Sequence, residues 1–182
     1  MIAIGGKFYM KFKKLLKSRK TVRTYTGKAA NKKDLQKILE AGEYAPAAMG
    51  KYENYLFTVV TNKKHLKAID QEAAMMFGDL HSHPLYGVPT LILVSAKKVD
   101  EMAWATAGIM GHNMVLAAED KGYGACYIYG AVAALRNHPE TIDDLDLPDG
   151  FTPLCGVGVG ETEEELEKRD IDKERVGITE AE

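Results

Sequence analysis

Cysteine, proline and tryptophan are scarce in this chain: two, six and one among 182 residues. Cys126 and Cys155 lie inside apolar runs and form neither a C-x-x-C pair nor a metal-ligand spacing. No apolar run reaches the roughly 18–20 residues of a membrane span, and the longest candidates, such as 88–96, have the length of a strand. The first nine residues lack the charged start, apolar core and cleavage pattern of a secretory signal. No Gly-Lys-Ser/Thr phosphate loop is present. Gly156, Gly158 and Gly160 spell G-x-G-x-G, but they close a strand and lead into acidic residues rather than an apolar helix. That excludes a dinucleotide fingerprint and leaves close backbone packing as their reason. No serine or cysteine sits in a recognisable nucleophile elbow. His81 and His83 are two apart with only Asp79 nearby, so a substrate-facing polar loop is expected rather than a metal site. These absences point to a soluble protein of a reducing compartment, the cytoplasm.

What is present reads as one globular domain: 46% hydrophobic and 27% charged residues, with no repeats and no low-complexity linker. The net charge of −2 hides a strong polarity. Residues 1–37 carry twelve Lys and Arg against the single acid Asp34, whereas residues 140–182 carry fifteen acids against four cations. A basic head suits nucleic acid, an anionic membrane surface or a phosphorylated small ligand, and it also suits pairing with the acidic tail within the fold or across a dimer. Nucleic acid is the weakest of these, since Phe12, Leu15 and Leu16 follow helical spacing and are expected to form a buried stripe.

The spacing predicts a helix over 11–18, a second capped by Asn31 and ending near Gly42, a strand over 55–60 and a helix capped by Asn62 toward Met76. A loop follows over 78–87, then a buried strand over 90–95. A long helix over 100–121, stopped by Gly122, is apolar nearly all round: Met102, Ala103, Ala107, Met110, Met114 and Leu116 leave little polar surface. Such a helix belongs at the centre of a protein or in a subunit interface, where Gly108 and Gly111 would admit a partner helix. Two more strands are expected at 124–129 and 153–159, and beyond Gly160 an acidic extended arm. Strands separated by helices make a mixed α and β protein, with strand order left open.

Arg19, Lys20, Thr21 and Arg23 follow the first helix and offer three cations and a hydroxyl, the chemistry that grips a phosphate. In order along the chain come Ser18-Arg-Lys-Thr-Val-Arg-Thr-Tyr, Tyr44-Ala-Pro-Ala-Ala-Met-Gly, Gly87-Val-Pro-Thr-Leu-Ile-Leu-Val-Ser, the run from Gly111 through Gly122-Tyr-Gly-Ala-Cys-Tyr-Ile-Tyr-Gly130, and Gly156-Val-Gly-Val-Gly. This ordered set resembles the nitroreductase family of flavin enzymes from about Ser18 to Arg169.

The resemblance implies an α+β fold with a central, mostly antiparallel sheet flanked by helices. A preceding extension of residues 1–10 and a single domain over 11–182 are expected, with the C-terminal arm exchanged in a homodimer. It implies FMN at the subunit interface and NADH or NADPH as co-substrate, reducing nitroaromatics, quinones or similar small oxidised compounds. No catalytic side chain, metal, nucleic-acid partner or membrane is implied, because the flavin carries the redox chemistry. By the same resemblance Arg19, Lys20, Thr21 and Arg23, with Lys168 and Arg169, would hold the phosphate and ribityl chain. Pro46, Ala47, Ala48, Met49 and Gly50 would line the ring from the other subunit, and Tyr127, Ile128, Tyr129 and Gly130 would pack over its face. The family's loop commonly reads Pro-Ser-x-x-Asn-x-Gln-Pro-Trp, whereas Ala47, Gly50, Tyr52 and Asn54 replace its polar and aromatic members here. That departure keeps two other readings open, a flavin carrier or sensor with little turnover and a flavin-modifying relative.

Overall fold

A computed structural model describes residues 2–4, 7–9, 12–165, 169 and 175–181. Four strands form one antiparallel sheet in the order β3-β4-β6-β5, from Tyr55–Val60 (β3), Thr90–Ala96 (β4), Gly124–Ile128 (β5) and Thr152–Gly160 (β6). Ahead of them Ile2–Ile4 (β1) and Lys7–Tyr9 (β2) pair as a separate antiparallel hairpin. The helices are Phe12–Ser18 (α1), Lys32–Glu43 (α2), Lys63–Met76 (α3), Glu101–Asp120 (α4), Gly130–Leu135 (α5) and Pro139–Asp143 (α6). The side chains of Asn31 and Asn62 cap α2 and α3 as predicted, accepting the backbone N–H groups of Asp34 and Lys64, and Asp100 caps α4 by accepting that of Ala103. No described helix is long and apolar enough to cross a membrane.

The central strands are buried on both faces, so β4 divides its side chains between two cores. Ile92, Val94 and Ala96 join α2 and α4, while Leu91 and Leu93 join α3 and α5. The expected close packing of the β6 glycines is what the sheet uses. A Cβ at Gly156 would stand 2.9 Å from Leu91 and 3.2 Å from Val132, and one at Gly160 only 2.6 Å from Pro89.

Two expectations need correction. Phe12 and Leu16 are 69% and 37% exposed, so α1 does not bury its apolar stripe within the protomer. The apolar character of α4 has two sources: Ala103, Ala107, Met110 and Met114 fill the protomer's own core, whereas Met102, Ala105 and Ile109 form an exposed row on the far side. Gly111 belongs to the inner face. A Cβ there would meet the Tyr127 ring at 2.7 Å, so its smallness serves the helix–sheet contact inside one chain.

Candidate functional site

The basic segment after α1 leaves the helix and runs beside β5, where Val22 donates its N–H to the Ala125 carbonyl. The acidic segment after β6 returns to the same place. Glu164 accepts the backbone N–H groups of Arg23 and Thr24, both at 2.9 Å, and pairs with Lys20 at 3.0 Å. The Lys20 contact, then these N–H donors, hold its carboxyl below the ordinary range. Lys28 pairs with Glu161 at 3.2 Å. The basic head and acidic tail therefore meet, at least here, within one chain.

Arg169 is tied to α1 by donating its backbone N–H to Lys17 and its Nη2 to Leu16, both carbonyls. Its Nε is buried and has no hydrogen-bond partner among the described residues. Burial, then the like charge of Arg19, pushes the Arg169 guanidinium below its ordinary value, and Glu119 pulls it back. Glu119, in the last turn of α4, is 3% exposed beneath this group. Burial pushes its carboxyl up, opposed by a Ser18 hydrogen bond and by Arg19 and Arg169. Two guanidinium groups thus act on one buried carboxylate, and among the described residues the Arg169 Nε donor is unused, an arrangement suited to a further anion. Lys168 lies outside the described residues.

Arg23 takes a different direction from Arg19. Its guanidinium carbon stands 5.4 Å over the Tyr86 ring, and a side-chain hydrogen bond to Tyr86 raises its pKa. Both line a cleft of about 460 Å³ that ends on Tyr127, Ile128, Tyr129 and Gly130, with Phe77, His83 and Pro84 opposite. Tyr127 and Tyr129 are 40% and 52% exposed and give this cleft aromatic edges. Tyr129 is braced by Trp104 at 5.9 Å between ring centroids and by Arg136 at 5.8 Å. Tyr86 has a φ of 57° and precedes Gly87 at 67°, so the cleft wall carries a left-handed, strained non-glycine residue. His83 lines the cleft and bonds Asp70 at 2.9 Å; His81 does not line it.

The loop of Pro46, Ala47, Ala48, Met49 and Gly50 does not line this cleft. It docks on α4, where Ala48 donates its N–H to the Thr106 hydroxyl. Met49 is 72% exposed and left-handed at φ 55°, followed by Gly50 at 68°. The structure therefore brings Arg23 to the 127–130 segment and puts Arg19 within electrostatic reach of Arg169, while the 46–50 loop lines neither place. Sequence reasoning missed Glu119, Phe77, Tyr86 and Glu164. Of these only Tyr86 carried a local signal, the Tyr-Gly turn before β4.

Residues 16–161 match the nitroreductase family. The chain belongs to that family. A nitroreductase from Bacteroides fragilis with bound FMN is 28% identical and superposes with a TM-score of 0.78 over 91% of this chain and 97% of its own. One from Desulfitobacterium hafniense, 23% identical, shares the fold with a TM-score of 0.80 over 92% and 97%. A Cr(VI) reductase of Pseudomonas sp. strain G-1 is 26% identical over 81% of this chain and 65% of its own length. An NADPH-dependent oxidoreductase of Staphylococcus haemolyticus is 28% identical over 81% and 63%. This nitroreductase-family chain thus spans just under two thirds of the length of those two relatives.

Proposed function

We propose that this protein is an FMN-dependent NAD(P)H oxidoreductase of the cytoplasm that acts as a homodimer on nitroaromatics, quinones or similar small oxidised compounds. The observation that carries the reading is the Arg169 guanidinium, tied to the end of α1 with its buried Nε left without a partner among the described residues and sharing the electrostatic environment of Arg19 and buried Glu119. A phosphate monoester is the natural occupant of such a donor set. Arg19, Thr21 and Arg169 would take the phosphate, and Lys20, already paired with Glu164, would fix the backbone that presents them. Lys168 would add a further cation. Arg23 would face the cofactor's polar edge, while the 127–130 segment supplies an apolar and aromatic bed that keeps water from one ring face.

Bound FMN would accept an electron pair from a reduced nicotinamide and pass it to an acceptor. The protein's share is to hold, orient and shield it, and to surround it with positive charge. The exposed loop of Pro46, Ala47, Ala48, Met49 and Gly50 would cover the partner's site, and the chain beyond Arg169 would cross to the partner. The FMN-bound relative from Bacteroides fragilis and the relatives named as oxidoreductases support this reading.

Purified protein should carry the visible absorbance of FMN and lose it on anaerobic addition of NADPH or NADH. Arg19→Ala and Arg169→Ala should each weaken FMN about ten- to hundredfold, the worth of one charge-assisted hydrogen bond at about 1.5–3 kcal/mol. Riboflavin, lacking the phosphate, should be indifferent. A colourless protein that does not take up added FMN overturns the proposal; FMN that binds but resists reduction identifies a flavin carrier instead.

A further inference from the structure

A second cleft, about 980 Å³, opens on the other side of Arg23, His83 and Tyr86, three residues it shares with the smaller one. Its floor is apolar, built from buried Leu66, Leu85 and Val88. Its rim is cationic. Lys63 and Lys67 stand four apart on α3 and therefore on one helix face. The lysines in ion pairs among the described residues are Lys20, Lys28, Lys37, Lys98 and Lys121, so these two are uncommitted. The acid in the lining, Asp70, is already engaged, accepting the Leu85 N–H at 2.7 Å and bonding His83 at 2.9 Å. The cleft therefore combines an apolar floor, two free ammonium groups and a shared wall with the proposed flavin site.

We propose that this second cleft binds the adenosine half of NADPH, with the 2′-phosphate on Lys63 and Lys67 and the adenine over Leu66, Leu85 and Val88. The inference rests on the oxidoreductase reading and adds to it a basis for choosing between nicotinamide cofactors. A 2′-phosphate brings nearly two negative charges that NADH lacks, and two unpaired cations reward it. A floor of buried aliphatic side chains suits a purine ring, and the volume is ample for a nucleoside bisphosphate. Arg23, Tyr86 and His83 form the boundary across which the rest of the dinucleotide would pass to the smaller cleft.

The test separates this subsite from the redox reading by using a ligand that cannot be oxidised. Adenosine 2′,5′-bisphosphate and 5′-AMP are titrated calorimetrically into FMN-loaded protein. The bisphosphate should bind at least ten times more tightly, and Lys63→Ala/Lys67→Ala should erase the difference, while Lys63→Arg/Lys67→Arg keeps most of it. FMN content and melting temperature should be unchanged, because both lysines are exposed. In turnover the alanine pair should raise KM for NADPH about tenfold or more and leave kcat and the KM for NADH within twofold. Equal affinity for the two nucleotides in the wild type, or a preference that survives the alanine pair, overturns the proposal. Lysine-dependent bisphosphate binding by a protein whose flavin NADPH does not reduce would sustain the subsite and overturn the redox reading.

Discussion

Glu119 illustrates how a single side chain can organise charge it does not itself present to a ligand. A carboxylate 3% exposed is costly unless it is fully paired, yet among the described residues Glu119 Oε1 has no hydrogen-bond partner. Burial outweighs the attraction of Arg19 and Arg169, so its pKa stands above the ordinary 4.5. An acid whose folded pKa is raised binds more protons folded than unfolded between the two values. Its contribution to stability is thus present below pH 4.5 and lost as the pH rises through the folded value. Glu119→Gln, which keeps an acceptor for Ser18 and removes the charge, should melt higher than the wild type at pH 7.5. That advantage should shrink toward pH 4. Thermal melts of FMN-free protein at several pH values test this, and a variant that melts lower at pH 7.5 would mean that the two arginines more than offset the desolvation.

At the scale of elements, α4 and β5 form one unit, and Gly111 is where they touch. The 2.7 Å from a built Cβ to the Tyr127 ring is far inside contact distance, so any side chain there must push the ring or the helix. Gly111→Ala should cost about 1–3 kcal/mol, as overpacking does, and weaken FMN by displacing Tyr127 at the cleft edge. Urea unfolding and FMN titration check both effects; an unchanged unfolding midpoint would show that the contact gives way freely. The long elements were legible because their signals repeat. Asn31 and Asn62 mark helix starts, and the apolar runs of β3, β4 and β6 have strand length. Helices α5 and α6, of six and five residues, complete fewer than two turns and leave no period to read. The outer and inner faces of α4 could not be separated either, since Met102 and Met110 are chemically alike and only packing tells them apart. In the site, Arg19 and Arg23 were legible as a cluster of cations. Their divergence, one toward Arg169 and one toward Tyr86, depends on long-range contacts that no local pattern encodes.

For the whole molecule, the protomer leaves several large apolar side chains exposed. Phe12 on α1, Met102 and Ile109 on α4, and Met49 and Tyr52 in the loop between α2 and β3 are each more than 40% exposed. Scattered singly such residues mean little, but the α4 row at 102, 105 and 109 follows one helix face. The internal bridges Lys20–Glu164 and Lys28–Glu161 show that the charge polarity of the chain is spent partly inside the protomer. Apolar contact, rather than head-to-tail attraction, is then the stronger drive to associate, and association should be insensitive to salt. We expect a homodimer by light scattering at low micromolar concentration in both low and high salt. Ile109→Glu places a charge at the C-terminal end of the α4 row without disturbing the core, because that side chain is 43% exposed in the protomer. The variant should become monomeric with an unchanged far-ultraviolet spectrum. It should also lose FMN, since the 46–50 loop of a second chain would no longer cover the site. A wild-type monomer holding stoichiometric FMN would overturn the shared-site reading, whereas a monomeric Ile109→Glu that keeps its FMN would confine the error to the loop and leave the interface in place.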